Sequence, residues 1–390
     1  MIEKIVFINY QPITPKYYSD FYFKECINNG LGVEYWDVTK LYFPNTKFGE
    51  SYNFMTTIIK IASFRELKNK LSSTDIDSTL FITNITYEFR VWKLFRILTI
   101  CNCNLAFFAR GMSPSPEKMV SSKIVKVILS FSLRTIMSAI KSRLAILLKN
   151  YRIIKTYDFV FRAGSKGGIT IGAGYEYDLK AGKVIEINYF DFDKYLKVIK
   201  EVKCIEEDYC VFLDVYLPHH PDIQLIGINT VDPDIYYSQL NNYFDYIEKT
   251  YAVNVVICAH PKAIKYQSHN PFSGRKIVFN KTCEFVKDAK FAITNYSTSI
   301  SFPILFRKPI FFITCEAERE KMFDLYETSL YLGKVLNSKV SYFDKIELEN
   351  INELCFDFDL YNDYLYKYLT SKESENRLTS EIFIETILKL

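Results

Sequence analysis

The feature that most restricts how this chain can fold is a repeated alternation of short apolar, β-prone runs with segments of helical periodicity. In the first half KIVFINY (4–10), GVEYWDV (32–38), STLFITNI (78–85), LAFFAR (105–110) and YDFVFRAG (157–164) read as strands, with helical patterns between several of them. A glycine-rich stretch, GSKGGITIGAGYEYDLKAG (164–182), and a strand running into a helix, KVIEINYFDFDKYLKVIKE (183–201), close this half. A second series then begins: YCVFLDVYL (209–217), a helix over 234–250, VNVVICAHP (253–261), KIVFN (276–280), a short helix over 282–289, KFAITNYS (290–297), a helix over 298–307 and KPIFFITC (308–315). Strands that alternate with helices in this way predict parallel sheets covered by helices.

Single cores stop growing near about 250–300 residues, so a chain of 390 residues is expected to divide. The reading is α/β, with two Rossmann-like domains facing across a cleft. An N-terminal domain (1–200) and a C-terminal domain (201–390) are expected, with a helical tail from about 345 of the kind that can pack back on the first domain. Hydrophobic residues make up 49% and charged residues 24%, a globular composition that excludes disorder. No repeat or low-complexity tract interrupts it.

Nine cysteines are present, with no CxxC or Cys/His spacing suited to zinc. They read as reduced, buried residues of a cytosolic protein, and no metal is expected. The N-terminus, MIEKIVFINYQP, lacks the features of a signal peptide, and no stretch of about 18 uncharged apolar residues exists to span a bilayer.

Charge is unevenly placed. Residues 118–157, KMVSSKIVKVILSFSLRTIMSAIKSRLAILLKNYRIIKTY, hold nine Lys/Arg and no acid, with Leu, Ile and Val at spacings near 3.6. This predicts one or two basic amphipathic helices suited to an anionic membrane surface, the alternative being the solvated face of a packed helix. No recognised nucleic-acid motif accompanies the charge, so nucleic acid is not expected as a partner. The expected location is therefore cytoplasmic, peripheral at the inner face of the membrane.

In open α/β sheets ligands bind beyond the carboxyl ends of the strands, and three polar clusters fall at such ends in the second half. The first is Asp214 with His219, His220 and Asp222 in FLDVYLPHHPD (212–222). A carboxylate closing an apolar strand is partly desolvated, which suits a general base or a nucleophile; an Asp capping a turn is the plainer reading. The second is His260, Pro261 and Lys262, where the histidine can hydrogen-bond or offer charge to a phosphate. The third is TNYSTSISFP (294–303), in which Ser297, Thr298 and Ser299 bring hydroxyls and backbone N–H groups to the start of a helix, an arrangement suited to phosphate beyond simple capping.

Weaker signals remain. GAGYEY has Tyr177 where a dinucleotide fingerprint needs its third glycine. DFD (191–193) reads as a strand-to-helix junction and DPD (232–234) as a helix start. Arg162, Ser165 and Lys166 are candidates to meet an anionic ligand, and Glu176 is a candidate second carboxylate.

On these residues the second half resembles the nucleotide-binding lobe of GT-B glycosyltransferases that use CMP-activated acidic sugars. His260-Pro261 and Ser297-Thr298-Ser299 are similar, in order and context, to the HP and Ser/Thr motifs that hold CMP in sialyl-, polysialyl- and Kdo-transferases. The FLD…P.HPD stretch looks most like the retaining β-Kdo transferases of bacterial surface polysaccharide synthesis. The resemblance carries motifs over about 205–315 and only general architecture in the first half. It implies CMP-β-Kdo as donor, CMP as product, no cofactor, a sugar hydroxyl of a lipid-linked glycan such as lipopolysaccharide, O-antigen or capsule as acceptor, and Asp214 as the nucleophile of a double displacement. A glutamate expected from the first lobe has no clear counterpart, and Glu176 is the candidate offered. From the residues alone, Asp214 as nucleophile in a retaining enzyme and as base in an inverting one stay equally open. Competing readings are a sialic or other nonulosonic acid transferase, a polyol-phosphate transferase using CDP-glycerol, and a non-catalytic scaffold of a polysaccharide assembly complex.

Overall fold

The computed structural model describes residues 1–45, 54–111, 114, 133–167, 172–203, 206–221, 223, 230–345 and 353–390. They form two compact units. Nearly all described residues up to Phe190, joined by Thr370–Leu390, make the first; Asp191–Leu369 makes the bulk of the second. The chain thus changes unit at Phe190–Asp191, and its last segment belongs with the first unit.

The first unit is built on β1 (Lys4–Asn9), β2 (Gly32–Asp37), β3 (Thr57–Lys60), β4 (Thr79–Thr83), β5 (Asn104–Ala109), β6 (Phe159–Ala163) and β7 (Lys183–Ile187), in the spatial order β3-β2-β1-β4-β5-β6-β7. Every neighbouring pair is parallel. The sheet is buried on both faces, and β1 shows how. Successive side chains of a strand point to opposite faces, so Val6 and Ile8 join Trp36, Phe81 and Leu105 in one core, while Ile5 and Phe7 join Tyr35, Leu80 and Ile82 in the other. The helix Thr379–Leu388 adds Ile382, Phe383, Ile384 and Ile387 to that second core. Asn188 pins this return: its backbone N–H donates to Thr379 Oγ1 at 3.0 Å, and its Oδ1 accepts from Thr370 Oγ1 at 2.6 Å.

The second unit holds β8 (Tyr209–Leu213), β9 (Asn254–Ala259), β10 (Ile277–Phe279), β11 (Ala292–Thr294), β12 (Ile310–Thr314) and β13 (Val340–Tyr342), ordered β10-β9-β8-β11-β12-β13. Again every pair is parallel. Both units are therefore α/β with doubly wound parallel sheets. In the second the strand order reverses between β8 and β11, whose register sets Leu213 beside Thr294. Two edge strands, β3 and β13, lack the long apolar run that marks central strands such as β1, β4, β8 and β12. The four residues of β3 are mostly exposed and the three of β13 are half-buried. Among the described residues no helix is long and apolar enough to cross a membrane.

Candidate functional site

Three strand ends of the second unit converge on a cavity of about 360 Å³ lined by Val215, His220, Ile223, His260, Tyr296, Ser297, Thr298 and Leu325. Val215 and His220 follow β8, His260 follows β9, and Tyr296–Thr298 follows β11. The cavity thus lies at the switch point of this sheet, where doubly wound folds bind ligands. Its volume falls in the range of about 300–1,000 Å³ typical of small-molecule sites.

His260 and the Ser/Thr loop meet here as the sequence suggested. The His260 Nδ1 accepts the Lys262 backbone N–H at 3.2 Å, which assigns the remaining proton of a neutral ring to Nε2 as a donor. The His220 ring packs edge-on to it at 4.9 Å. Ser297 caps the following turn: its Oγ accepts the Ser299 N–H at 3.2 Å, and its own N–H donates to Thr294 Oγ1 at 3.4 Å. The helix expected over 298–307 is a 3-10 turn, Thr298–Ile300, followed by the short helix Ser301–Leu305. Ser299 is half-buried and does not line the cavity, and Pro261 and Lys262 are exposed outside it.

Asp214 sits elsewhere than a reacting group should. It is 5% exposed and absent from the cavity wall. Its Oδ1 accepts the Tyr216 N–H at 2.9 Å and its Oδ2 the His260 N–H at 3.3 Å. Burial pushes its carboxyl up to about 6, against the donors Tyr216, His260, Tyr266 and Val215, which favour the anion. Tyr216 is held in the left-handed region at φ 54°, a conformation that a non-glycine residue keeps only when its surroundings fix it. The carboxylate therefore ties the β8 turn to the start of the His260 loop, beneath the site. Tyr266, which bonds this carboxylate, also pairs with Tyr237 at 2.9 Å between hydroxyls. His219 packs by Tyr216 and Tyr237, its ring held below the usual histidine range first by burial and then by Lys265. Asp222 lies outside the described residues.

A second buried acid supports the other edge of the cavity. Glu318 accepts from Asn295 Nδ2 at 2.7 Å and Thr314 Oγ1 at 3.0 Å, and burial pushes its carboxyl up to about 8. Asn295 directly precedes Tyr296, so this network fixes the loop that carries Tyr296, Ser297 and Thr298. Nothing in the sequence around Glu318 signals this, because the two ends of the contact lie on different strand–helix connections.

The remaining candidates belong to the first unit. Arg162 is matched with Glu186 by the β6–β7 register, and its guanidinium is paired with that carboxylate. One terminal nitrogen is thus engaged by the neighbouring strand. Ser165 and Lys166 are exposed on the turn after β6 and line neither cavity described here. Glu176, on the helix Tyr175–Ala181, lines a separate cavity of about 1,110 Å³ with Glu88, Arg90, Lys141 and Tyr87. Gly172 belongs to that wall, at φ 106°, where a Cβ would collide with the Tyr87 carbonyl oxygen. DFD begins the helix Phe190–Val198, with Asp191 accepting from Ser301 Oγ. In DPD, Asp232 caps the helix Pro233–Tyr251 by accepting the Ile235 N–H at 3.1 Å.

The sequence had not assigned roles to His220, Tyr296, Val215, Ile223 or Leu325. His220 belongs to the flagged 212–222 cluster, and Val215 and Tyr296 adjoin flagged strand ends and could have been found there. Leu325 comes from the helix Phe323–Val335 and carries no local signal.

Fold and site together define a protein of two doubly wound α/β units whose second unit carries a small-ligand cavity at its switch point. No protein-family model matches the chain, and no curated protein matches it. Among solved structures it is similar to the H444N variant of the wall teichoic acid polymerase TagF, at 12% identity and TM-score 0.45 over 99% of this chain and 88% of that one. The UDP-GlcNAc 2-epimerase of Methanocaldococcus jannaschii, in complex with UDP-GlcNAc and UDP, matches at 13% identity and TM-score 0.42 over 100% and 99% of the two chains. The calicheamicin glycosyltransferase CalG4 matches at 9% identity and TM-score 0.48 over 100% and 98%.

Proposed function

We propose that this protein is a glycosyltransferase of the GT-B type that takes its sugar from a CMP-activated acidic donor, CMP-β-Kdo first among them. The acceptor in this reading is a hydroxyl of a lipid-linked bacterial glycan. The observation that carries the proposal is the joint lining of one switch-point cavity by His260, Ser297 and Thr298.

The chemistry suits those groups. Transfer breaks the bond between the anomeric carbon and the phosphate oxygen, and CMP leaves with the electron pair. The acceptor oxygen bonds to that carbon and gives up its proton, which the departing phosphate or water takes up. The charge that develops is on phosphate, so donors placed around it lower the barrier. The Nε2 proton of His260 and the hydroxyls of Ser297 and Thr298 are such donors. Val215, Ile223 and Leu325 offer the apolar surface on which a base or ribose can rest.

Asp214 acts in this account as a positioning residue. Serving as a nucleophile would require it to abandon two backbone N–H groups in a buried setting, which would leave them unsatisfied. Retention through an Asp214 adduct is therefore not part of the proposal.

The test is release of CMP from CMP-Kdo, CMP-sialic acid and CDP-glycerol, each with a panel of glycan acceptors. Turnover of CMP-Kdo is the expected result. Turnover of CMP-sialic acid alone would keep the class and change the sugar, and turnover of CDP-glycerol alone, or of nothing, would overturn the reading. In the same assay Asp214→Asn should lose only about 10-fold, the effect of one weakened loop contact. A loss of about 10⁴-fold or more would instead make the carboxylate the reacting group.

A further inference from the structure

We infer that the helix Leu133–Asn150 of the first unit is a docking face for an anionic lipid surface. One side of this helix is fixed inward. Lys149, buried, is ion-paired with buried Asp178, whose Oδ1 also accepts the Tyr157 N–H at 3.1 Å. Ala145 is buried too, and its carbonyl accepts from the Tyr87 hydroxyl at 3.1 Å. The rotation of the helix about its axis is thereby set.

The side that faces away carries an apolar seam, whose first residue, Met137, also borders the larger cavity together with Lys141. Met137, Ile140, Leu144, Leu147 and Tyr151 are 51%, 47%, 41%, 44% and 71% exposed. Their spacing of three, four, three and four residues aligns them along one stripe of a helix. Lys141 and Arg143, both exposed, fall on opposite flanks of that stripe at about 100° per residue. Exposed Arg152 and Ile153 continue it past the helix end.

The charge pattern selects the occupant. The segment 118–157 contains nine Lys/Arg and no acid, and among its described cations Lys149 is matched by Asp178 and Lys155 by Asp158, while Lys141, Arg143 and Arg152 are exposed. A second copy of this chain would set like charges against one another along the whole seam, whereas lipid phosphates would neutralise them. Apolar side chains between flanking cations are the pattern of a helix lying in the headgroup region, with Lys and Arg stems reaching outward. This surface is independent of which nucleotide the second unit takes.

Flotation of the full chain with phosphatidylcholine vesicles, with and without phosphatidylglycerol, examines it. Binding is expected only with the anionic lipid, and should weaken at least about 10-fold when salt is raised well above physiological strength. The double variant Leu144→Ser/Leu147→Ser should lose about 10-fold or more with its far-UV spectrum unchanged, since both side chains are exposed. Arg143→Glu/Arg152→Glu should lose a comparable factor at low salt and little at high salt. No binding to anionic vesicles, equal binding to neutral ones, or a wild-type dimer dissolved by the Leu→Ser pair without any vesicle binding would each overturn the inference.

Discussion

Alanine in place of His260 will lower turnover of the CMP-activated sugar by about 100- to 1,000-fold, the usual effect of removing one donor aimed at developing charge. The fold should be unaffected. The side chain is only half-buried, and the contact that joins the two strand ends is made by the His260 backbone N–H to Asp214, which alanine retains. The neighbouring Lys262 provides the contrast. It is exposed and outside the cavity wall, so Lys262→Ala should cost less than about 10-fold, the scale of an exposed charge contact. Steady-state kinetics on both variants checks this. Equal losses at the two positions, or no loss at His260, would remove the histidine from the mechanism.

The second large effect is on stability. The Glu318 carboxyl is raised from 4.5 to about 8 by burial, so the folded state favours its protonated form. A raised carboxyl leaves stability intact below the unfolded value and lowers it as pH climbs through the folded one. The loss therefore develops between about pH 4.5 and 8, and at about 1.4 kcal/mol per unit it amounts to about 5 kcal/mol at most. Asp214, raised from 3.8 to about 6, adds a smaller loss of the same sign at lower pH. Glutamine at 318 removes the ionisation and still fits. Its oxygen can accept from Asn295, and its amide can donate to the Thr314 hydroxyl, which serves as donor or acceptor. Urea unfolding of Glu318→Gln should keep the Asp214 loss at lower pH but give a nearly flat dependence from about pH 6 to 8, crossing above the wild type at the alkaline end. Parallel curves for the two proteins would mean that Glu318 does not ionise in this interval.

The two-sheet architecture was legible because central parallel strands are buried on both faces and must read as continuous apolar runs. KIVFIN, TLFIT, YCVFL and IFFIT all do. The edge strands β3 and β13 escaped because little of them is buried, so nothing forces an apolar pattern. At the site, strand ends closed by polar residues drew attention to His260, Ser297 and Thr298, which share one cavity wall. The same logic drew in Asp214, which is buried and absent from that wall. A carboxylate at a strand end can face outward to a ligand or turn back to cap the loops, and that choice depends on donors supplied by residues 216 and 260. The Arg162 pairing was likewise not legible, since Glu186 becomes a neighbour only through the β6–β7 register. Glu318 and Leu325 reach the site across the sheet, and no local spacing announces such contacts.

The central claim is that the cavity walled by His260, Ser297 and Thr298 is built for a cytidine monophosphate. Calorimetric titration of the intact chain with CMP tests it most directly. The account predicts saturable one-to-one binding that is weakened at least about 10-fold by Thr298→Ala or His260→Ala, each removing one donor to phosphate. Binding that is absent, or that both substitutions leave unchanged, would contradict it.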